Sequence, residues 1–308
     1  MLSSIDKYTL IFLVLIGMYL PVYGQQQPMF SHYLVNGLAI NPAYAGSRDA
    51  VSGVLSYRNQ WVQIPGAPTT QTFGIHAPVM QKKIGLGLNI VNDQIGISKN
   101  LSMMTSYSYR LKLRSGFLRL GFQGGIVNFQ NNWSEVVTAQ EGDITFSQGN
   151  ESFWKPNFGV GAYWNNKKFF AGFSVPVLLS HELSPNNPEN EAMLFKHYFF
   201  TTGTLLTLSP QVNFKPSVLL KYVAGAPLQA DLNAMFIFRK AFWIGGSFRT
   251  RDGIVLSTQF HTKKSIWFGY AYDYPLTPLQ QVTSGSHEIF IGIDYQKLKS
   301  KILSPRYF

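Results

Sequence analysis

Residues 106–125 read SYSYRLKLRSGFLRLGFQGG. Before the Arg114-Ser115-Gly116 turn signal, Tyr107, Tyr109, Leu111 and Leu113 alternate with Ser106, Ser108, Arg110 and Lys112; after it, Leu118, Leu120 and Phe122 alternate with Arg119 and Gln123. Alternation of period 2 on both sides of a tight turn predicts a β-hairpin with one apolar face and one face carrying Arg and Lys. What the two faces meet decides the fold.

The same pattern continues along the chain. Strands are expected at 51–58, 70–77, 84–92, 101–114, 117–130, 156–165, 167–176, 196–208, 211–222, 227–238, 241–249, 253–262, 265–274 and 286–295. The odd-numbered connections include NQWVQIPGAPT, DQIGISKN, the stretch 131–155, the stretch 177–195 and PLTPLQQVTSG. The even-numbered ones, PVMQKK, SG, NNK, SP, RK and KK, are short, and the odd AGA and TRD are short too. Two rims that differ in this way belong to an up-and-down transmembrane barrel with short periplasmic turns and longer outer loops. A Greek-key sandwich gives no such parity.

The faces agree with the connections. Ile266, Phe268, Tyr270, Tyr272 and Tyr274 oppose Gly269, Ala271 and Asp273, while Ile289, Ile291, Ile293 and Tyr295 oppose Glu288, Gly292 and Asp294. Leu228, Leu232, Phe236 and Phe238 oppose Gln229, Asp231 and Asn233. Charges of both signs share the second face (Arg110, Lys112, Arg119, Lys215, Lys221, Arg249, Asp231, Asp273, Asp294, Glu288). They would be costly in a dry core but suit a polar lumen. The expectation is an all-β, 14-stranded antiparallel transmembrane β-barrel over residues 51–295, its apolar face against lipid, with a short N-terminal non-strand segment.

Composition fits that reading. The 308 residues are 45% hydrophobic, 15% aromatic and only 13% charged. The chain has no cysteine, which excludes disulfides, thiolate nucleophiles and Cys-ligated metals. Residues 9–24, TLIFLVLIGMYLPVYG, follow Lys7 and Tyr8 and end with Val22 and Gly24 at the small positions of a cleavage site. Residues 1–24 are expected to be a signal peptide directing the chain to the outer membrane, with a retained anchor as the alternative. Residues 25–50 lack period-2 alternation and form a periplasmic or lumen-plugging segment, in which SHYLVNGLAI could be a short helix stopped at Asn41-Pro42.

The formal net charge of +11 has an address. Lys82, Lys83, Arg114, Lys167, Lys168, Arg239, Lys240, Lys263 and Lys264 occupy the even turns, and the tail 296–308 adds Lys297, Lys299, Lys301 and Arg306. This basic periplasmic rim either docks an acidic periplasmic partner or anionic inner-leaflet lipid of the outer membrane, or consists of solvated turn residues that stop strand slippage. At the opposite rim Arg58, Gln60 and Trp61 frame the first loop, where the guanidinium can bond loop carbonyls or stack on the indole.

Motifs for chemistry are sparse. His181-Glu182 runs into LSP and builds no zinc helix, and His287-Glu288 could be half of a site for which no third group is placed. G-x-S-x-G is absent, and the glycine pairs Gly85/Gly87 and Gly124/Gly125 lie in strands, not before helices. No enzyme, cofactor, metal or nucleic-acid reading follows.

PMFSHYLVNGLAINPAYAGS, YRNQW with GAPTTQTFGIHAPV, GLGLNIVNDQIG, KPSVLLKY, ADLNAMF, SFRTRDG, FGYAYDYPLTPL and GSHEIFIGI together resemble the PorP/SprF family of the type IX secretion system of Bacteroidetes. The resemblance runs from about residue 28 to the C-terminus, and NPAYAGS, RNQW and GSHE in that order carry it. It implies an outer-membrane barrel working with the secretion machinery: its partners would be secreted or surface-anchored cargo and the system's periplasmic ring and peptidoglycan-linked lipoproteins. The family has no catalytic motif to carry over. Its signature positions would be Asn41, Pro42, Tyr44 and Gly46 in the segment entering the barrel, Arg58, Gln60 and Trp61 in the first loop, and Gly285, Ser286, His287 and Glu288 at the start of the last strand. The rival reading is a passive porin or small-molecule transporter.

Overall fold

The computed structural model describes residues 33, 36–48, 50–135, 150–181, 195–263 and 265–295. The expected signal peptide, the basic tail and Lys264 lie outside the described residues. The strands are β1 (Val51–Asn59), β2 (Thr69–Val79), β3 (Ile84–Ile95), β4 (Ser98–Leu113), β5 (Gly116–Asn131), β6 (Glu151–Asn165) and β7 (Phe169–Val175). They continue as β8 (His197–Thr204), β9 (Leu206–Ser209), β10 (Val212–Val223), β11 (Gln229–Phe238), β12 (Phe242–Arg249), β13 (Gly253–His261), β14 (Ile266–Pro275) and β15 (Ser286–Tyr295).

Each stave pairs antiparallel with the next, and β1 pairs with β15 from Val51↔Tyr295 to Asn59↔His287, which closes the ring. Both β8 and β9 pair with β10, so they are one stave broken at Leu205. The molecule is therefore a closed 14-stranded antiparallel barrel.

Closure satisfies the edge groups that an open sheet would expose to lipid. The opening hairpin is in register, with Tyr107↔Phe122, Arg110↔Arg119 and Leu113↔Gly116 opposed. Tyr107, Tyr109, Leu120 and Phe122 are exposed on the outer wall, while Ser106, Ser108, Arg119 and Gln123 are buried inside. Leu55, Leu232, Leu256 and Ile291 continue the outer apolar band. Tyr109, Phe169, Phe238, Phe268 and Tyr295 ring the short-turn end, and Tyr57, Trp154, Tyr198, Tyr222 and Tyr274 ring the other. These are the two aromatic girdles that a membrane barrel places at the lipid–water interfaces.

The structure corrects several boundaries. DQIGISKN is not a long loop: β3 and β4 stay paired through Gln94↔Lys99 and Ile95↔Ser98, leaving a two-residue turn. The polar stretch hides a ladder whose backbone hydrogen bonds need no apolar side chains. The strand expected at 156–165 starts at Glu151 and pairs with β5 out to Asn131, which shortens the loop before it. SHYLVNGLAI carries a 3-10 turn at Gly37–Ala39, and Pro42 opens a second at Pro42–Tyr44. Proline suits the first position of a helical turn, where its missing N–H has no partner to lose.

Candidate functional site

Residues 36–48 lie inside the barrel, near the short-turn rim. Inward-facing glycines make room for them, Gly74 beneath Asn36 among them. A Cβ on Gly85, Gly121 or Gly161 would overlap Ala45, Ala43 or Asn41, one on Gly87 would press on Leu38, and one on Gly172 on Asn41. Polar groups then fix the segment to the wall. Asn41 Nδ2 donates to the carbonyls of Ala162 (3.1 Å) and Phe173 (3.4 Å), while its Oδ1 accepts from Ala43 N (2.9 Å). Ser108 Oγ donates to Ala45 O (2.8 Å), Ser174 Oγ to Ile40 O (2.6 Å), and Gly46 N to His76 Nδ1 (3.1 Å).

Tyr44 packs edge-on against His76 and Tyr163, at 5.4 Å from each. Gly46 has φ of 69°, a backbone setting that glycine adopts without a Cβ penalty, and its own Cβ would stand 2.8 Å from Gly85. Arg48 reaches Tyr44 OH (3.0 Å) and Asp294 Oδ1 (3.3 Å), tying the end of the segment to β15. Ser52 bonds the same carboxylate oxygen. Tyr33 packs with Ile40, Phe199 and Leu219, and its hydroxyl accepts from Asn233 Nδ2 at 2.5 Å. Burial holds that phenol above its ordinary pKa, so it stays neutral. The void left among Tyr33, Asn41, Tyr44, Tyr163 and Lys215 is about 30 Å³.

At the long-loop end, Arg58 and Glu288 face each other across the β1–β15 seam. Arg58 Nη2 donates to Asp273 Oδ2 (2.7 Å) and Nη1 to Glu288 Oε2 (3.4 Å). Arg249 joins Asp231 (3.1 Å), Asp252 (2.9 Å) and the same Asp273 oxygen (3.6 Å). The register of Arg58 on β1 turns it into the lumen, where the carboxylates of Asp273 and Glu288 compensate it. Trp61 N donates to Ser286 Oγ (3.1 Å), Val62 N to Gly285 O (2.9 Å), and Gly96 N to Gly66 O (2.8 Å), so the first loop is stitched to its neighbours on both sides. Gln60 N donates to Pro68 O (2.9 Å) across the base of that loop.

His287 and Glu288 cannot form one site, because adjacent residues of a strand point to opposite faces. His287 is outside, bonded through Nδ1 to Tyr270 OH at 2.6 Å, and Glu288 is buried inside. Lys82, Lys83, Arg114, Lys167, Lys168, Arg239, Lys240 and Lys263 all fall on turns or strand ends of the short-turn rim. The glycine seat escaped the sequence reading, which assigned Gly85 and Gly87 to the strands alone. The available signal was their position: glycine at inward parity on neighbouring strands.

The family described as type IX secretion system membrane protein PorP/SprF matches residues 22–293. No curated protein matches the sequence. Among solved structures, the CymD monoaromatic hydrocarbon channel aligns with a TM-score of 0.50 at 12% identity, covering 86% of this chain and 94% of that one, a likeness of fold alone. A Pseudomonas aeruginosa FadL homologue aligns at 0.48 with 11% identity, over 89% and 96% of the two chains.

Proposed function

Because the chain belongs to the PorP/SprF family of type IX secretion system membrane proteins, we propose that this outer-membrane barrel supports export and cell-surface attachment of a cargo protein through protein–protein contacts. Residues 36–48 act as its plug. The observation that carries this reading beyond the family is the seating of that segment: a passive porin needs an aqueous path, and here the backbone and rings of residues 36–48, set against inward-facing glycines, occupy the short-turn half of the lumen.

In this reading residues 1–24 are removed on export and the short-turn rim faces the periplasm. Its basic residues dock acidic surfaces of the periplasmic ring or of peptidoglycan-linked lipoproteins. Arg239 (φ 47°) and Lys240 (φ 59°) support a role beyond turn formation. Two-residue hairpin turns with positive φ favour Asn-Gly, and each bulky residue there costs about 1 kcal/mol of backbone strain. The first loop around Trp61 and the loop between β5 and β6 contact cargo on the other side.

The test is a pull-down of the tagged protein, expressed at native level, from detergent-solubilised outer membrane, with co-purifying chains identified by mass spectrometry. Recovery of a large exported protein or of secretion-system lipoproteins is the expected result. Recovery of the barrel alone would sink the reading.

A further inference from the structure

On the long-loop side of the plug the lumen holds a cavity of about 150 Å³, floored by Ala39 and Ile40. Its lining is unusual for the inside of a membrane barrel. Val127 and Phe129 form one buried apolar cluster, and Ile40, Phe199 and Leu219 belong to another. Both clusters border the same cavity, yet they are separate from each other. Two apolar surfaces that could have packed together instead face a shared space. A wet lumen calls for polar residues at such positions, and apolar lining gains from contact only when something apolar fills the gap.

A second feature of the cavity points to a ligand with one polar group. Asn89 lines the cavity, is 7% exposed, and its Oδ1 has no hydrogen-bond partner. A buried acceptor of this kind is completed by an O–H or N–H donor. The lining charges of both signs face one another: Asp231 accepts from Arg249 Nε at 3.1 Å and also interacts with Lys221, while Asp93 accepts from Thr70 Oγ1 at 2.6 Å, so a ligand's charge would compete with pairs already made. The volume limits size, since an apolar cavity of about 150 Å³ holds a benzene-sized molecule.

We propose that this cavity binds a small uncharged amphipathic molecule: an apolar ring or branched chain of benzene size, packed between the two clusters, whose hydroxyl or amide N–H donates to Asn89. The site is independent of the export reading, since it depends only on the plug and the walls.

The test uses the full-length protein in lipid nanodiscs, with 4-fluorophenol as probe and 4-fluorotoluene, of the same shape without the hydroxyl, as its control, followed by fluorine NMR. A saturable bound signal above that of empty nanodiscs is expected, at least tenfold tighter for the phenol than for the toluene. Asn89→Leu should erase that difference, and Val127→Trp, which fills the space, should weaken phenol binding at least tenfold. Folding of each variant is checked by its heat-dependent gel mobility. Because either variant could fail to fold, nuclear Overhauser contacts from the bound phenol to labelled Met104, another lining residue, provide a readout in the unaltered protein. Absence of saturable binding, equal binding by a folded Val127→Trp protein, or a bound probe without contacts to Met104 would each overturn the proposal.

Discussion

Arg58 shows how one residue joins sequence to closure. It stands opposite Glu288 because β1 and β15 are the two ends of the barrel, so a motif near the start of the chain and one near its end meet as an ion pair 230 residues apart. The residue is 2% exposed and shares Asp273 with Arg249, so removing it takes a guanidinium away from two buried carboxylates, Asp273 and Glu288. Breaking a buried pair costs about 3–5 kcal/mol. Arg58→Ala should lower stability by about that much in urea titrations of the folded barrel, and Arg58→Lys should recover only part of the loss, since an ammonium cannot reproduce the two-pronged geometry. Gly121 makes a different point at the same scale. Its Cβ position is occupied by the backbone of Ala43, whereas its own strand is held on both sides by β4 and β6. Gly121→Val should therefore unseat the plug without unfolding the wall. The check is maleimide labelling of an Ala43→Cys reporter, expected to rise at least tenfold while heat-dependent gel mobility stays that of a folded barrel.

Among the elements, strands whose two faces differ in polarity were the ones legible in the sequence. Tyr107 to Leu113 and Ile289 to Tyr295 alternate because lipid and lumen select opposite chemistries on successive residues, and that contrast survives in the sequence without any knowledge of partners. Where the contrast fades, so did legibility. In Asp93 to Asn100 only Ile95 and Ile97 break a polar run, too few to show an alternation, yet the strands stay paired through Ile95↔Ser98. The break at Leu205 leaves no mark in the sequence either, since Thr204 and Leu206 flank it with neither proline nor glycine beside it. The plug was still less legible: Asn41 acts through carbonyls of β6 and β7, more than a hundred residues away, and no local pattern announces such partners. The face assignment itself is testable on a strand. Leu256 is 61% exposed near the middle of β13, on the outer wall. Leu256→Arg should destabilise the barrel by about 2–4 kcal/mol if the residue lies near the bilayer midplane, and by much less in a detergent whose headgroups reach the side chain. Equal costs in bilayer and detergent would mean that this face does not meet lipid.

For the whole molecule, the question is whether the barrel conducts. The wall alone would form a channel, for the inward charges of both signs are compatible with water. The plug changes that. It spans from β3 to β7 on its glycine seat, and Tyr33 extends the contact to β8, β10 and β11. A void of about 30 Å³ beside Tyr44 has room for only one or two water molecules. In planar bilayers the intact protein should show no steady single-channel current. Replacing residues 36–48 by a flexible Gly-Ser linker of equal length should open one, because the wall keeps its complete ring of hydrogen bonds when the segment leaves. The same variant separates the two rival functions. If the barrel serves mainly as a pore regulated by its plug, solute uptake should rise while cargo capture is unchanged. If it serves as a docking platform, cargo bound at the loop rim should stay while contacts that need an ordered plug are lost. Open-channel current from the intact protein would remove the plug from the account altogether and favour the porin.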